Sequence, residues 1–259
     1  VTVDVFVSVD LSEDGTYEWC LLQASIYPNI IVLDYGERFG GAAKNFFRLI
    51  HDVDFSGYDY IALSDQDDVW LVNKLSRGVD VIKSNCLDAF SSDVIAFWQD
   101  GREALVKKSY PQKRFDFIFE AAGPGCTYIF TMQSLHQFKN FLTENWQEVN
   151  NVDLHDWMIY SYYRSRDMSW FIDGQALMRY RQHADNQVGS NSGLRATVKR
   201  LVLVKSNWYS GEVTKITKLL ESDVNLRLNR WSLIKIFFEL RRRPRDAYAL
   251  LAMLIIGLF

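Results

Sequence analysis

The stretch Leu63-Ser64-Asp65-Gln66-Asp67-Asp68-Val69-Trp70 puts three carboxylates into four positions, directly after the apolar run Tyr58-Asp59-Tyr60-Ile61-Ala62-Leu63. Like charges this close repel and resist joint ionisation, so the cluster calls for a positive partner. A hard divalent cation fits, since Mg²⁺ typically takes one or two carboxylates together with substrate phosphates. The alternative is an acidic, solvated turn. The apolar residues on both sides, Ile61 to Leu63 and Trp70, weigh against it.

Other residues gain meaning beside this cluster. Gly40-Gly41-Ala42-Ala43-Lys44-Asn45 opens a predicted helix. Small residues let a backbone approach a ligand, a helix N-terminus favours anions, and Lys44 adds charge toward a diphosphate. Taken alone, the motif reads as a helix-entry turn. In His155-Asp156-Trp157 a carboxylate beside an aromatic has the makings of a general base with a raised pKa. A first-turn acid stabilised by the helix dipole is the competing reading, and on these residues alone it weighs more. His183, in Arg181-Gln182-His183, is a metal ligand, a phosphate donor or a hydrogen-bonded structural histidine. Gly123-Pro124-Gly125-Cys126 predicts a tight turn before a strand, expected to line a pocket.

Positioning these groups requires an open α/β sheet, in which ligands bind outside the carboxyl ends of strands. Strands are predicted over 3–9, 29–33 (buried) and 58–63, alternating with helices over 16–26, 42–51 and 73–83, a pattern that argues for a parallel-rich sheet. Asp10 and Asp65 to Asp68 then share one rim. Further strands are predicted over 94–99 and 126–131, and helices over 135–146 and 154–164, the latter N-capped by Asp153. Asp173-Gly174 between two short apolar runs predicts a hairpin. Beyond Gly193 the pattern is helical and basic.

The chain has 259 residues and a net charge of −3, unevenly spread. Residues 1–194 carry 27 acids against 16 Lys and Arg, whereas 195–259 carry 13 Lys and Arg against 5 acids. The basic end points to an anionic surface. The acidic body, without interleaved basic and aromatic residues, argues against nucleic acid. Cys20, Cys86 and Cys126 have neither metal-ligand spacing nor an even disulfide framework, which fits a reducing, cytoplasmic compartment. Arg241-Arg242-Arg243-Pro244-Arg245 precedes an apolar run, 247–259, shorter than the roughly 20 residues a spanning helix needs. It is either an interfacial anchor on the inner face of the membrane or a helix packed on the body.

Taken in order, Asp10 to Thr16, Gly40 to Phe46, Ser64 to Trp70, Gly123 to Thr127, His155-Asp156-Trp157, and Tyr180 to His183 with Asn186 and Gly189 resemble the bacterial family 2 glycosyltransferases of the rhamnosyltransferase-like group. The resemblance runs over roughly residues 3–192. It implies a GT-A fold: a Rossmann-type, mostly parallel sheet flanked by helices over 1–193, then a helical basic extension over 194–259. It also implies roles. Asp10 contacts the nucleotide base. Asp65 and Asp67 are the outer acids of a D-x-D motif that holds Mg²⁺ or Mn²⁺, with His183 as a late metal or diphosphate ligand. Lys44, Asp68 and Arg181 join Asp10 and Asp65 in binding the donor. Asp156 is the catalytic base, and Gly125, Cys126, His155 and Trp157 line the acceptor pocket.

The function implied is inverting, metal-dependent transfer of a sugar from a nucleoside-diphosphate sugar to a hydroxyl of a glycan or lipid-linked saccharide, in the synthesis of cell-surface polysaccharide. The group points to rhamnose, and so to dTDP-rhamnose, as donor. Two features depart from the family: Val9 and Leu11 stand where it places an acid and a glycine, and its opening strand and first helix have no counterpart. The expectation is that an N-terminal piece is missing. A non-catalytic nucleotide-sugar- or polysaccharide-binding module on the same fold is the alternative.

Overall fold

The computed structural model describes residues 2–34, 36, 38–182, 207–221, 224 and 226–259. The expected strand–helix–strand opening forms, although its helix is not amphipathic and buries only Cys20. Strand β1 (Val5–Val7) pairs in parallel with β2 (Ile30–Val32) through helix α1 (Thr16–Ile26). Gly15, at φ 78°, is the N-cap that turns the chain into α1, and Asp14 just before it accepts the Thr16 N–H at 3.0 Å. Ile31 is exposed rather than buried, because β1 and β2 pair only with each other among the described residues. Helix α2 (Ala42–Asp52) is strongly amphipathic and buries Phe46, Phe47 and Ile50.

The central sheet is β3 (Tyr60–Ala62), β8 (Ile129–Thr131), β5 (Ala89–Ser92) and β9 (Trp170–Asp173), in that order. Strands β5 and β9 run parallel, while β8 is antiparallel to β3 and β5. A second sheet orders β4 (Val69–Trp70), β10 (Met178–Gln182), β6 (Val94–Trp98) and β7 (Glu103–Val106). There β10 is parallel to β6, and the β4–β10 and β6–β7 pairs are antiparallel. Helix α3 (Lys74–Asn85) packs on β5 and β8, so closely that a Cβ on Gly78 would overlap Ile129. Helices α4 (Asp116–Phe119), α5 (Met132–Glu144), α6 (Trp146–Val149) and α7 (His155–Ser165) complete the body.

Two local expectations fail for tertiary reasons. The predicted hairpin at Asp173-Gly174 does not form, since β9 and β10 lie in different sheets. Asp173 is held by Arg77 of α3, at 2.6 and 3.2 Å, and the chain crosses between sheets there. Asp153 does not cap α7; Leu154 occupies that position. Instead the Asp153 carboxylate accepts from Trp208 Nε1 at 2.5 Å and its N–H donates to Glu212 at 2.9 Å, both on the C-terminal helix α8 (Trp208–Leu219).

The remaining elements are α9 (Arg230–Lys235), a 3-10 turn at Phe237–Glu239 and α10 (Pro244–Ile256). The boundary expected at 193/194 lies outside the described residues. Val213, Ile216, Leu220, Leu233, Leu250 and Leu254 share one core with Phe117, Phe119 and Trp157. Arg241 and Arg242, read from the sequence as part of a surface patch, point inward. Arg242 is 3% exposed and pairs with Asp116 at 2.9 Å, and Arg241 donates to Phe119 O at 2.7 Å. No helix among the described residues is long and apolar enough to cross a membrane.

Candidate active site

Asp65 follows β3 and Asp68 precedes β4, so a short turn carries both to the rim where the two sheets meet. An oxygen of each lies with Cys126 Sγ in a group whose atoms are all within 4.8 Å of one another. Burial, and then the charge of Asp68, push Asp65 up to about 6. Asp68 is raised too, chiefly by burial. One Asp68 oxygen accepts the Arg181 N–H at 2.9 Å; the other is buried and has no hydrogen-bond partner. Arg181 Nε also donates to the Asp67 carbonyl at 2.8 Å, so β10 clamps the acidic turn through its backbone. Asp67 is outside the close group, and His183 lies outside the described residues.

Beneath the turn, Lys74 is 1% exposed. Its ammonium donates to the Cys126 carbonyl at 2.8 Å and sits 3.2 Å above the Trp70 ring. Burial pulls its pKa down to about 7 against the opposing pull of Asp68 and Asp65. The Cys126 thiol is fully buried, and burial pushes it well up, so it is a neutral neighbour of the two carboxylates. Two carboxylates crowded together, one with an orphaned buried oxygen, are a donor set that fits a hard divalent ion.

Asp156 is half-buried in the first turn of α7. One oxygen accepts the Trp157 N–H at 2.7 Å. Burial pushes its carboxyl up to about 6, opposed by Lys108. The Tyr128 hydroxyl links this segment to the glycine turn, lying 3.0 Å from Gly123 O and 3.2 Å from Asp156 O. Lys108 lies across the same turn, its Cγ 3.4 Å from where a Gly123 Cβ would stand. Its backbone is fixed by buried Asp93, which accepts the Lys108 and Ser109 N–H groups at 2.6 and 2.9 Å. Among the described residues no carboxylate comes within ion-pair distance of the Lys108 ammonium. The Tyr180 phenol is held protonated by burial and by Cys126, Asp65, Asp68 and Asp156 together, which ties the acidic turn to the Asp156 side.

The residues expected to line an acceptor pocket form a closed floor. His155 stacks on Phe46 with ring centroids 4.1 Å apart, and burial depresses its pKa to about 3, so the ring is neutral. A Cβ on Gly125 would overlap that imidazole. Trp157 is 3% exposed, donates to Phe117 O at 3.0 Å and stacks on Tyr209. At the other end of the rim, Asp10 accepts the N–H groups of Phe39 at 2.5 Å and Gly40 at 2.9 Å, fixing the loop that enters α2. Lys44 is exposed in the first turn of that helix and makes no ion pair among the described residues.

The sheet architecture and the whole sequence both have relatives among known proteins. Over its whole length the chain is 44% identical to the dTDP-rhamnosyl transferase RfbG of Shigella flexneri, across 267 aligned residues and 92% of that protein. The chain belongs to the rhamnosyltransferase-like family 2 glycosyltransferases. No family model matches it. The glycosyltransferase also resembles S. aureus TarS (residues 1–349, in complex with UDP-GlcNAc) at TM-score 0.52 and 13% identity, over 98% of this chain and 78% of that one. The mannosyltransferase PcManGT from Pyrobaculum calidifontis, in complex with GDP-Man and Mn²⁺, matches at TM-score 0.52 and 13% identity, over 99% and 71%. These likenesses establish the GT-A fold of the enzyme. Sequence reasoning missed Lys74 and Lys108, and quoted Tyr180 in a motif without giving it a role. A lysine opening a helix carries no sign that it is buried, and Lys108 belongs to a polar loop far from the motifs.

Proposed function

We propose that this glycosyltransferase moves rhamnose from dTDP-rhamnose to a hydroxyl of a glycan or lipid-linked saccharide, with inversion at the anomeric carbon. The family supports nucleotide-sugar transfer, and the name of the 44%-identical relative supports the donor. The observation that carries the mechanism is the pair of crowded, raised carboxylates, Asp65 and Asp68, on the same rim as raised Asp156. Asp65 and Asp68, with Asp67 and His183 as the further candidates, hold a divalent ion, Mg²⁺ or Mn²⁺. When bound, that ion stabilises negative charge on the departing diphosphate. Asp156 takes the proton of the acceptor hydroxyl. The acceptor oxygen bonds to the anomeric carbon as the bond to the diphosphate oxygen breaks, so no covalent enzyme intermediate is needed. Lys108 opposes the effect of burial and favours the anionic form of Asp156 that this step requires. Asp10 shapes the nucleotide end by fixing the Phe39–Gly40 loop, and exposed Lys44 reaches toward the donor. The cytoplasmic face of the membrane is the proposed place of work.

A panel of nucleotide sugars with Mg²⁺ or Mn²⁺, scored for hydrolysis and transfer, tests this reading. Turnover is expected with dTDP-rhamnose and expected to vanish with EDTA. Asp156→Asn should keep donor binding and lower transfer by about 10² to 10⁴. Donor binding without any turnover would instead make the chain a binding module. Wild-type transfer by the variant would reduce Asp156 to a helix-start acid.

A further inference from the structure

The C-terminal elements expose an apolar surface that the fold does not use. Helix α10 turns Ala247, Leu250 and Leu254 inward. Its other side leaves Tyr248, Ile255 and Ile256 exposed, followed by Leu258. Trp231 on α9 is 70% exposed and Phe238 on the 3-10 turn is 44% exposed. These residues form one surface. Phe238 packs against Tyr248 with ring centroids 5.4 Å apart. Arg230 lies 5.5 Å from the Trp231 ring and its guanidinium bonds the Ile255 carbonyl, joining the start of α9 to the end of α10. From Ala247 onward this helix is apolar on both sides, a composition suited to a core or an apolar medium, yet one of those sides faces outward.

The charge on this surface has one sign. Arg227, Lys235, Arg243 and Arg245 are exposed. Only two carboxylates occur in residues 224–259, Glu239 and Asp246, and each has a partner. Glu239 accepts the Arg114 N–H at 3.3 Å, and Asp246 lies 3.9 Å from Arg241. Exposed aromatic and aliphatic side chains on elements that also carry exposed basic residues match the boundary of an anionic bilayer, where rings and chains enter the headgroup layer and lysine or arginine meets phosphate. At 13 residues, α10 is too short to span one.

We propose that the α9–α10 face is a peripheral docking surface for anionic lipid, built from Trp231, Phe238, Tyr248, Ile255 and Ile256 with Lys235 and Arg245 at its edge. It differs from the sequence expectation in its residues, since Arg241 and Arg242 are internal. Flotation of the full chain with phosphatidylcholine vesicles, with and without phosphatidylglycerol, tests it. Binding is expected only with phosphatidylglycerol and is expected to fall as salt screens the surface. Lys235→Gln with Arg245→Gln should weaken binding about tenfold or more, since each basic residue near such a surface contributes on the order of 1 kcal/mol. Trp231→Ser with Ile256→Ser should abolish it. Both variants should keep wild-type transfer to a soluble acceptor, because neither touches the rim. Three results would overturn the proposal: no flotation at low salt, binding indifferent to both variants, or a dimer in sedimentation equilibrium that Trp231→Ser with Ile256→Ser splits. The last would assign the face to a second copy of the chain.

Discussion

Two carboxylate clusters of the molecule, one in the body and one at the rim, are treated in opposite ways. In the body, Asp116 is completely buried, paired with Arg242 at 2.9 Å and Arg164 at 3.3 Å, and bonded by the Tyr160 hydroxyl at 3.0 Å. Glu120 lies beside it, 3.6 Å from Arg242. After burial, the strongest influences on Asp116 are those two guanidinium groups, which favour its anion. At the rim, the next influence on Asp65 after burial is another carboxylate, which disfavours its anion. The nearby ammonium, Lys74, is bonded to a carbonyl and laid on a tryptophan ring. Where guanidinium groups answer the acids, the result is a frame that locks the C-terminal segment onto the body. Where they do not, the acids stay crowded and uncompensated.

The sharpest way to break this contrast is to remove one of the answering charges. Arg242→Met should destabilise the fold by about 3–5 kcal/mol, because Asp116 is left as a poorly compensated buried charge. Adding Asp116→Asn should recover much of that loss. Urea unfolding of the two variants measures it, and an unchanged midpoint for the single variant would mean that the network holds nothing together.

The rim should respond with the opposite sign. Asp65 has a folded-state pKa of about 6 against 3.8 unfolded, so the folded protein binds this proton more tightly. Its contribution to stability is therefore favourable at acid pH. It is lost as pH rises from about 4 through about 6, and is fully absent above that. Asp65→Asn should raise stability at pH 8 by on the order of 2 kcal/mol, do little at pH 4, and abolish metal-dependent donor binding. Thermal unfolding at the two pH values, with and without Mn²⁺, checks the sign. A variant less stable than wild type at pH 8 without metal would remove Asp65 from the uncompensated group.

The smallest effect concerns Lys108, the cation that faces Asp156 without pairing to it. Glu120, Arg241, Arg242 and Asp156 all act on Lys108, and Lys108 and Asp65 act on Asp156 in opposite directions. In Lys108→Met the acid limb of transfer should move from about pH 6 to roughly pH 6.5, with donor affinity unchanged. A pH profile that superimposes on wild type would make Lys108 only a cover for Gly123.

The sequence was most legible where chemistry forces an unusual composition. Three acids in four positions behind Ile61 to Leu63 stand out in any reading, and the turn lies where a strand end was expected. The amphipathic pattern of α2 and the helical spacing of α3 were equally plain. What stayed hidden depends on distant partners. Nothing local distinguishes Arg243, exposed, from Arg242, locked against Asp116 across 126 positions of sequence. The Asp-Gly signal at 173–174 was overridden by Arg77, and the capping signal of Asp153 by Trp208. Long polar side chains carry their destination in the tertiary structure.

The contact between Gly125 and His155 bears on how such an enzyme is able to diverge. No side chain fits at 125 while the imidazole occupies that space, and the imidazole is pinned in turn by Phe46 of α2. A lineage cannot change position 125 first. It must shrink residue 155 beforehand, and so loosen a ring next to Asp156. Drift in the glycine turn is therefore gated by the residue next to Asp156, and homologous sequences should carry these two positions as a correlated pair.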